Sequence, residues 1–233
     1  MSLILGFDVE TTGLDVQNDD VIEVGMVLWN IEQRRPVRAS GFLVKTAKAI
    51  PEEVTKVNGL TNALLDQAGL DQAAALQLVL KWVSLAEAFC AHNGRRFDKP
   101  VFEAWCKRHS KGAPERVWID TMLDLPVSGH QLQHMAADQG FLNPFPHMAV
   151  TDVLTMLRIM DGFGAETALE NAKLPEMTVR AVVGFKDNQK AKNRGYRWDP
   201  DRRWWVKTIK VPRLEQEQKE ADFEVVPVEE NVV

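Results

Sequence analysis

The chain has 233 residues, enough for one generous domain or for one domain with a small appendage. Its 45% hydrophobic and 26% charged content is ordinary for a folded globular protein, and a formal net charge of -5 excludes attachment to nucleic acid through bulk positive charge. Two cysteines, Cys90 and Cys106, exclude a disulfide framework and lack zinc-ligand spacing, so a reducing, cytoplasmic setting is expected. The N-terminus shows no basic stretch leading into a long apolar run, and no apolar run reaches the roughly 18 residues of a membrane span.

In chain order, residues 3–9 read as a buried strand, 21–29 as a second and 37–44 as a third, joined by polar turns into an antiparallel meander. Pro51 opens a short helix that Asn58-Gly59 ends, and a longer one follows over 71–86 with Asp71 as its capping residue. Residues 87–91 form a short central strand, 99–109 a helix and 117–119 another short strand closed by Asp120-Thr121. Helices over 131–139 and about 147–160 complete a mixed sheet flanked by helices. Composition then shifts. Residues 164–172 read as a linker with weak helical character. From Lys173 to Arg213 twelve Lys/Arg stand against four Asp/Glu, and from Leu214 onward seven acids stand against Lys219. The expected layout is a large first domain over 1–163, the linker, a small basic and aromatic module over 173–213, and a disordered acidic tail over 214–233 that would fold over the module by charge and compete with its ligand.

The chemistry begins at Asp8 and Glu10. At i and i+2 of one strand they project from the same face, where two carboxylates repel unless a cation lies between them. Alone, Asp-x-Glu more often marks a strand ending in a polar turn. Three further groups stand at element ends: Asp98 after the central strand, and His147 and Asp152 at the start of the last domain helix. Arg95 and Arg96, just before Asp98, offer guanidinium forks that suit a phosphate.

These residues resemble a known family, the DEDDh (DnaQ-like) 3'-to-5' exonucleases of the RNase H-like superfamily. Phe7-Asp8-Val9-Glu10-Thr11-Thr12-Gly13-Leu14 looks like its first motif, His92-Asn93 with Phe97-Asp98 its second, and His147-x-Ala149-x-x-Asp152 its third. Pro51-Glu52 through Asn58-Gly59-Leu60-Thr61 resembles a segment between the first two. The second motif here has three residues between Asn93 and Phe97-Asp98 where the family has two, an insertion that Gly94 is expected to help absorb. A sister family uses tyrosine in place of the histidine, but the single tyrosine, Tyr196, lies far beyond the last motif.

The resemblance implies an α/β fold with a five-stranded RNase H-like sheet. It implies hydrolysis of phosphodiesters at free 3' ends with release of mononucleotides; the expected substrate is DNA with single-stranded 3' ends, and RNA is the alternative. Asp8, Glu10, Asp98 and Asp152 would hold two Mg2+ or Mn2+ ions, with Asp8 bridging and His147 as general base. Thr11, Thr12, Leu14, Asn93 and Phe145 would contact the terminal nucleotide. A polymerase or repair-protein partner, a homodimer and an accessory nucleic-acid-binding role stay open. In the module, basic residues interleaved with Trp198, Trp204 and Trp205 suit single-stranded nucleic acid, while so small a domain needs tryptophans for its own core; the expectation is a mixture, with Trp198 and one of Trp204/Trp205 buried and nucleic-acid contact left open.

Overall fold

The computed structural model describes residues 2–126 and 131–228. The chain divides into two compact units, residues 1–172 and 173–233. Among the described residues no helix is long and apolar enough to cross a membrane.

The first unit is built on a five-stranded sheet in the order β3-β2-β1-β4-β5, formed by β1 (Leu3–Thr11), β2 (Val21–Asn30), β3 (Arg35–Leu43), β4 (Ala88–Ala91) and β5 (Val117–Asp120). The first three strands are antiparallel; β4 and β5 run parallel to β1. Alternation along β1 sorts its side chains. Leu5, Phe7 and Val9 join the core under helices α3 (Gln72–Val83) and α4 (Asp98–Arg108), where Phe89 and Trp118 stack at 4.1 Å. Ile4, Gly6, Asp8 and Glu10 face the other way, where α5 (Leu132–Asp138) and α6 (Ala149–Phe163) pack through Val153, Met156 and Leu157.

Glycines set how closely α6 approaches. A Cβ at Gly25 of β2 would collide with the backbone of Ala149. One at Gly6 would stand 2.6 Å from Val153 and Leu157, and one at Gly41 of β3 would stand 3.3 Å from Val150. Three neighbouring strands therefore present bare backbone to one helix, and the first turn of α6 rests almost on β2.

Several sequence expectations need correction. The expected linker is mostly helix α7 (Ala165–Lys173), whose Ala165, Ala168, Leu169 and Ala172 form a helical stripe packed on the first unit's core. Between α1 (Glu52–Asn58), which Gly59 ends in a left-handed turn at φ 76°, and α3 lies an unexpected helix, α2 (Asn62–Ala68), capped by Thr61. Asp71 precedes α3 but makes no side-chain cap.

The second unit is a four-stranded antiparallel sheet in the order β7-β8-β6-β9, from β6 (Glu176–Val182), β7 (Arg197–Asp199), β8 (Trp204–Lys210) and β9 (Glu224–Pro227). Helices α8 (Asn188–Asn193) and α9 (Leu214–Glu220) accompany it. The tail expected to be disordered thus supplies a helix and an edge strand as far as residue 228; residues 229–233 lie outside the described residues. Its order has a physical cause. Val225 enters the core, and Glu217 accepts from Arg194, Lys207 and the Tyr196 hydroxyl. The core residue is Tyr196. Trp198 is 49% exposed and Trp204 only partly buried, while Trp205, also partly buried, packs against the core, so only one of the two tryptophans expected there contributes.

The glycine contact predicts that Gly25→Ala lifts the start of α6 and lowers stability by about 1–3 kcal/mol. Gly112→Ala, where an added Cβ meets nothing, should leave the denaturant midpoint near that of the parent.

Candidate active site

The site forms where β1 outruns β4. Their pairing stops at Gly6 and Cys90, so the Val9 N–H has no strand partner on that side and donates instead to Asp98 Oδ1 at 3.2 Å. Asp98, the first residue of α4, is buried there. Glu10 is paired across the strands with Glu23 of β2 and accepts from Asn58 Nδ2 at 3.1 Å. Asp152 lies in the first turn of α6. It accepts from the His147 backbone N–H at 3.0 Å and from the Asn143 side chain. His147 itself is exposed and holds a left-handed backbone at φ 62°, a conformation that lets its N–H turn back onto Asp152.

The closest gathering is Glu10, His147 and Asp152, with one ligand atom from each all within 4.8 Å of one another. Asp8 and Asp98 are joined to them by charge. Burial, and then the charges of Asp98, Glu10, Asp152 and Glu23, raise the Asp8 carboxyl well above its usual range. Among the described residues no hydrogen bond reaches the Asp8 side chain. Burial likewise raises Asp98, against the opposing Val9 N–H, and Asp152, against the opposing His147 N–H. Glu10 is pushed up to about 7 by burial, with Asn58 opposing and Asp152 adding. Such a set of hard oxygen donors, short of protein cations, is chemically suited to a divalent metal ion.

The remaining expected contacts sort differently. Leu14 is 87% exposed and Phe145 62% exposed, so both present apolar surface to solvent. Thr11 and Thr12 are buried, and their hydroxyls are spent on Gly13 O and Asp19 in shaping the loop after β1. Asn93 takes a left-handed backbone at φ 59°, and this residue bends the lengthened second motif. Gly94 serves a different purpose: a Cβ there would strike Ala91. The buried Asp120 fixes the loop by accepting from the N–H groups of Asn93 and Arg95 at 3.0 and 3.1 Å.

Arg95 does not reach outward to phosphate. Its guanidinium turns inward to Trp118 O, Asp124 and Ala172 O. Asp124, fully buried, draws it in.

Sequence reasoning missed Glu23, Asn58 and Asn143. Glu23 is buried, accepts from the Ala149 N–H at 3.4 Å and is raised to about 7, first by burial and then by Glu10 and Asp152. Its signal was present: a lone acid inside the apolar run Val21-Ile22-Glu23-Val24. Asn58 lay within the segment already noticed between the motifs, whereas Asn143 carried no sequence signal.

Comparison with known proteins now identifies the family. Residues 5–160 match the RNase T family, described as exonuclease. The chain belongs to that exonuclease family. Its members are generally dependent on divalent metal ions. The PolC-type DNA polymerase III of Mycoplasma pneumoniae is 28% identical over 170 residues, which cover 70% of this chain and 12% of that protein. The DNA polymerase III subunit epsilon of Treponema pallidum is 25% identical over 174 residues, covering 71% of this chain and 78% of the relative. E. coli Exonuclease I, solved with a dA16 oligonucleotide, superposes with a TM-score of 0.65 at 14% identity, over 83% of this chain and 50% of that one, and shows the same fold. This chain therefore spans about an eighth of the PolC-type relative and half of Exonuclease I. Residues 177–228 match a second family, DUF8626, a domain of unknown function.

The exonuclease site makes a pH prediction. Glu10 and Glu23 rise from 4.5 unfolded to about 7 folded, so the folded protein holds these protons more tightly. Their stabilising contribution is full below 4.5 and is lost as pH rises to about 7. Metal-free protein should melt lower at about pH 8 than at about pH 5, and added Mg2+ should restore more at the higher pH. Asp8→Asn, by relieving repulsion, should raise the metal-free melting temperature at about pH 8. Scanning fluorimetry across pH reads all three effects.

Proposed function

We propose that this chain is a metal-dependent 3'-to-5' exonuclease that removes nucleoside monophosphates from single-stranded DNA ends. The observation that carries the reading is the gathering of Glu10 and Asp152 beside one exposed histidine, with Asp8 and Asp98 coupled to them by charge, in a chain of the exonuclease family. The choice of DNA draws on the relatives, which are DNA polymerase III proteins, and on the oligonucleotide bound to Exonuclease I.

Asp8, Glu10, Asp98 and Asp152 would hold the cations, two Mg2+ or Mn2+ by our reading. When bound, such ions offset phosphate charge, lower the pKa of water and stabilise the departing 3' oxygen. The chain supplies the rest. His147 stands beside Glu10 and Asp152 with its ring in solvent, placed to accept the proton of the attacking water. The backbone bond from His147 to Asp152 ties the base to a carboxylate of the site, so the two move together. Leu14 and Phe145 offer exposed apolar surfaces for the terminal base, and Asn93 stands at the bend of the second motif. The similarity to polymerase III proteins favours a second setting for the same chemistry, proofreading beside a polymerase.

Nucleotide release from end-labelled DNA and RNA oligomers, with Mg2+, Mn2+ or EDTA, tests the proposal. Asp8→Ala and Asp152→Ala should abolish release, and His147→Ala should slow it about 100-fold or more while leaving folding intact. Undiminished release by the Asp8 variant would falsify the assignment, and equal rates on both sugars would remove the preference for DNA.

A further inference from the structure

The second unit sorts its charges between the two faces of its sheet. On one face, α8 and α9 cover Val179, Ala181, Ile209 and Val225. Three cations of that side are neutralised from within. Arg194 pairs with Glu217 and Glu220, Lys207 with Glu217, and Lys190 with Asp187 and Asp222. Three acids of the run after Leu214, which the sequence suggests as a competitor for substrate, are thus spent on the helix side: Glu217, Glu220 and Asp222.

The opposite face differs. Strand register places Arg197, Val206, Arg180 and Val226 in one row across all four strands. Trp204 sits on this same face, two residues from Val206, with the Arg180 guanidinium stacked 4.5 Å from its ring centroid. Trp205, one residue on, points the other way and bonds Asn188 of α8. Among the described residues no helix of this unit covers the Trp204 face. Among the described residues neither Arg180 nor Arg197 has a carboxylate partner. Of the acids on this face, Glu176 is bonded to Lys210 and Asp199 accepts from the N–H groups of Asp201 and Arg202, while Glu224 lies exposed on the edge strand.

We infer that this sheet face is a binding platform for single-stranded DNA, with Trp204 stacking on a base and Arg180 and Arg197 holding the flanking phosphates. A guanidinium already stacked on an indole is a preorganised pair: the ring offers its edge and remaining surface to a base while the charge meets the backbone. Thr178 and Thr208, paired between β6 and β8 on the same face, add hydroxyls beside the row. The lack of carboxylate partners for the arginines argues for an anionic occupant over an apolar protein segment, and the choice of DNA rests on the nuclease reading given above.

The test uses the intact chain in EDTA with fluorescein-labelled oligothymidylate, read by anisotropy against salt. Hydrolysis is absent there, so the result does not depend on turnover, and the nuclease reading stands or falls separately on nucleotide release. Trp204→Ala should weaken binding about 10-fold, and Trp204→Phe should recover most of the loss. Arg180→Ala combined with Arg197→Ala should weaken binding at low salt and reduce the slope of log affinity against log salt by about 1.4, the share of two phosphate contacts on a single strand. Circular dichroism reports whether each variant folds; should Trp204→Ala unfold the second unit, the arginine pair, which lies outside its core, carries the test. Parent-like affinity and salt slope in a folded double-arginine variant overturn the proposal and leave the face to some other occupant, such as a protein.

Discussion

The close approach of one helix to bare backbone is the constraint on which the site depends. Asp8 and Glu10 are fixed to β1 by strand pairing, but Asp152 and the histidine loop arrive on α6, and α6 can reach them only because Gly6, Gly25 and Gly41 leave no side chain in its path. Glu23 completes the seat by accepting from the first residue of that helix. The glycine positions are thus as much a part of the site as the acids. They shape the site by setting a distance, and they contribute little through contacts of their own.

That approach creates an electrostatic problem which the protein does not solve internally. Five acids, Asp8, Glu10, Glu23, Asp98 and Asp152, are brought together partly or fully out of water, and the nearby donors are mostly neutral amides: the Val9, His147 and Ala149 N–H groups and the side chains of Asn58 and Asn143. Neutral donors orient carboxylates without cancelling their charge. The second unit, by contrast, meets its partly buried Glu217 with Arg194 and Lys207, and there the carboxyl is held below its ordinary range despite its burial. The same chain therefore shows both solutions, full pairing for Glu217 and underpairing among the acids of the candidate site.

The sequence made the strands, the three motifs and most helices legible, because apolar periodicity and carboxylates at element ends report directly on buried faces and functional corners. What it hid were facts decided by a distant partner. Arg95 reads as a phosphate contact until Asp124, far along the chain, is seen buried beneath it. Trp198 reads as core until β7 proves to be the outer strand of its sheet. The acidic C-terminal stretch reads as disordered because a run of charge says nothing about which charges meet; three of its acids, Glu217, Glu220 and Asp222, find cations on the helix side, and Val225 finds the core. Glu23 was in plain view, but its place opposite Glu10 follows from strand register, which composition does not encode.

The premature end of β4 has a consequence for how such a protein can change over evolutionary time. Because Asp98 occupies a berth that a longer strand would fill with its own carbonyl, the acidic corner exists only while the sheet stays unfinished there. Growth of that strand by a residue or two would heal the gap and evict the acid without altering any motif residue. The loop after Asn93 has room for an insertion; the strand before it does not.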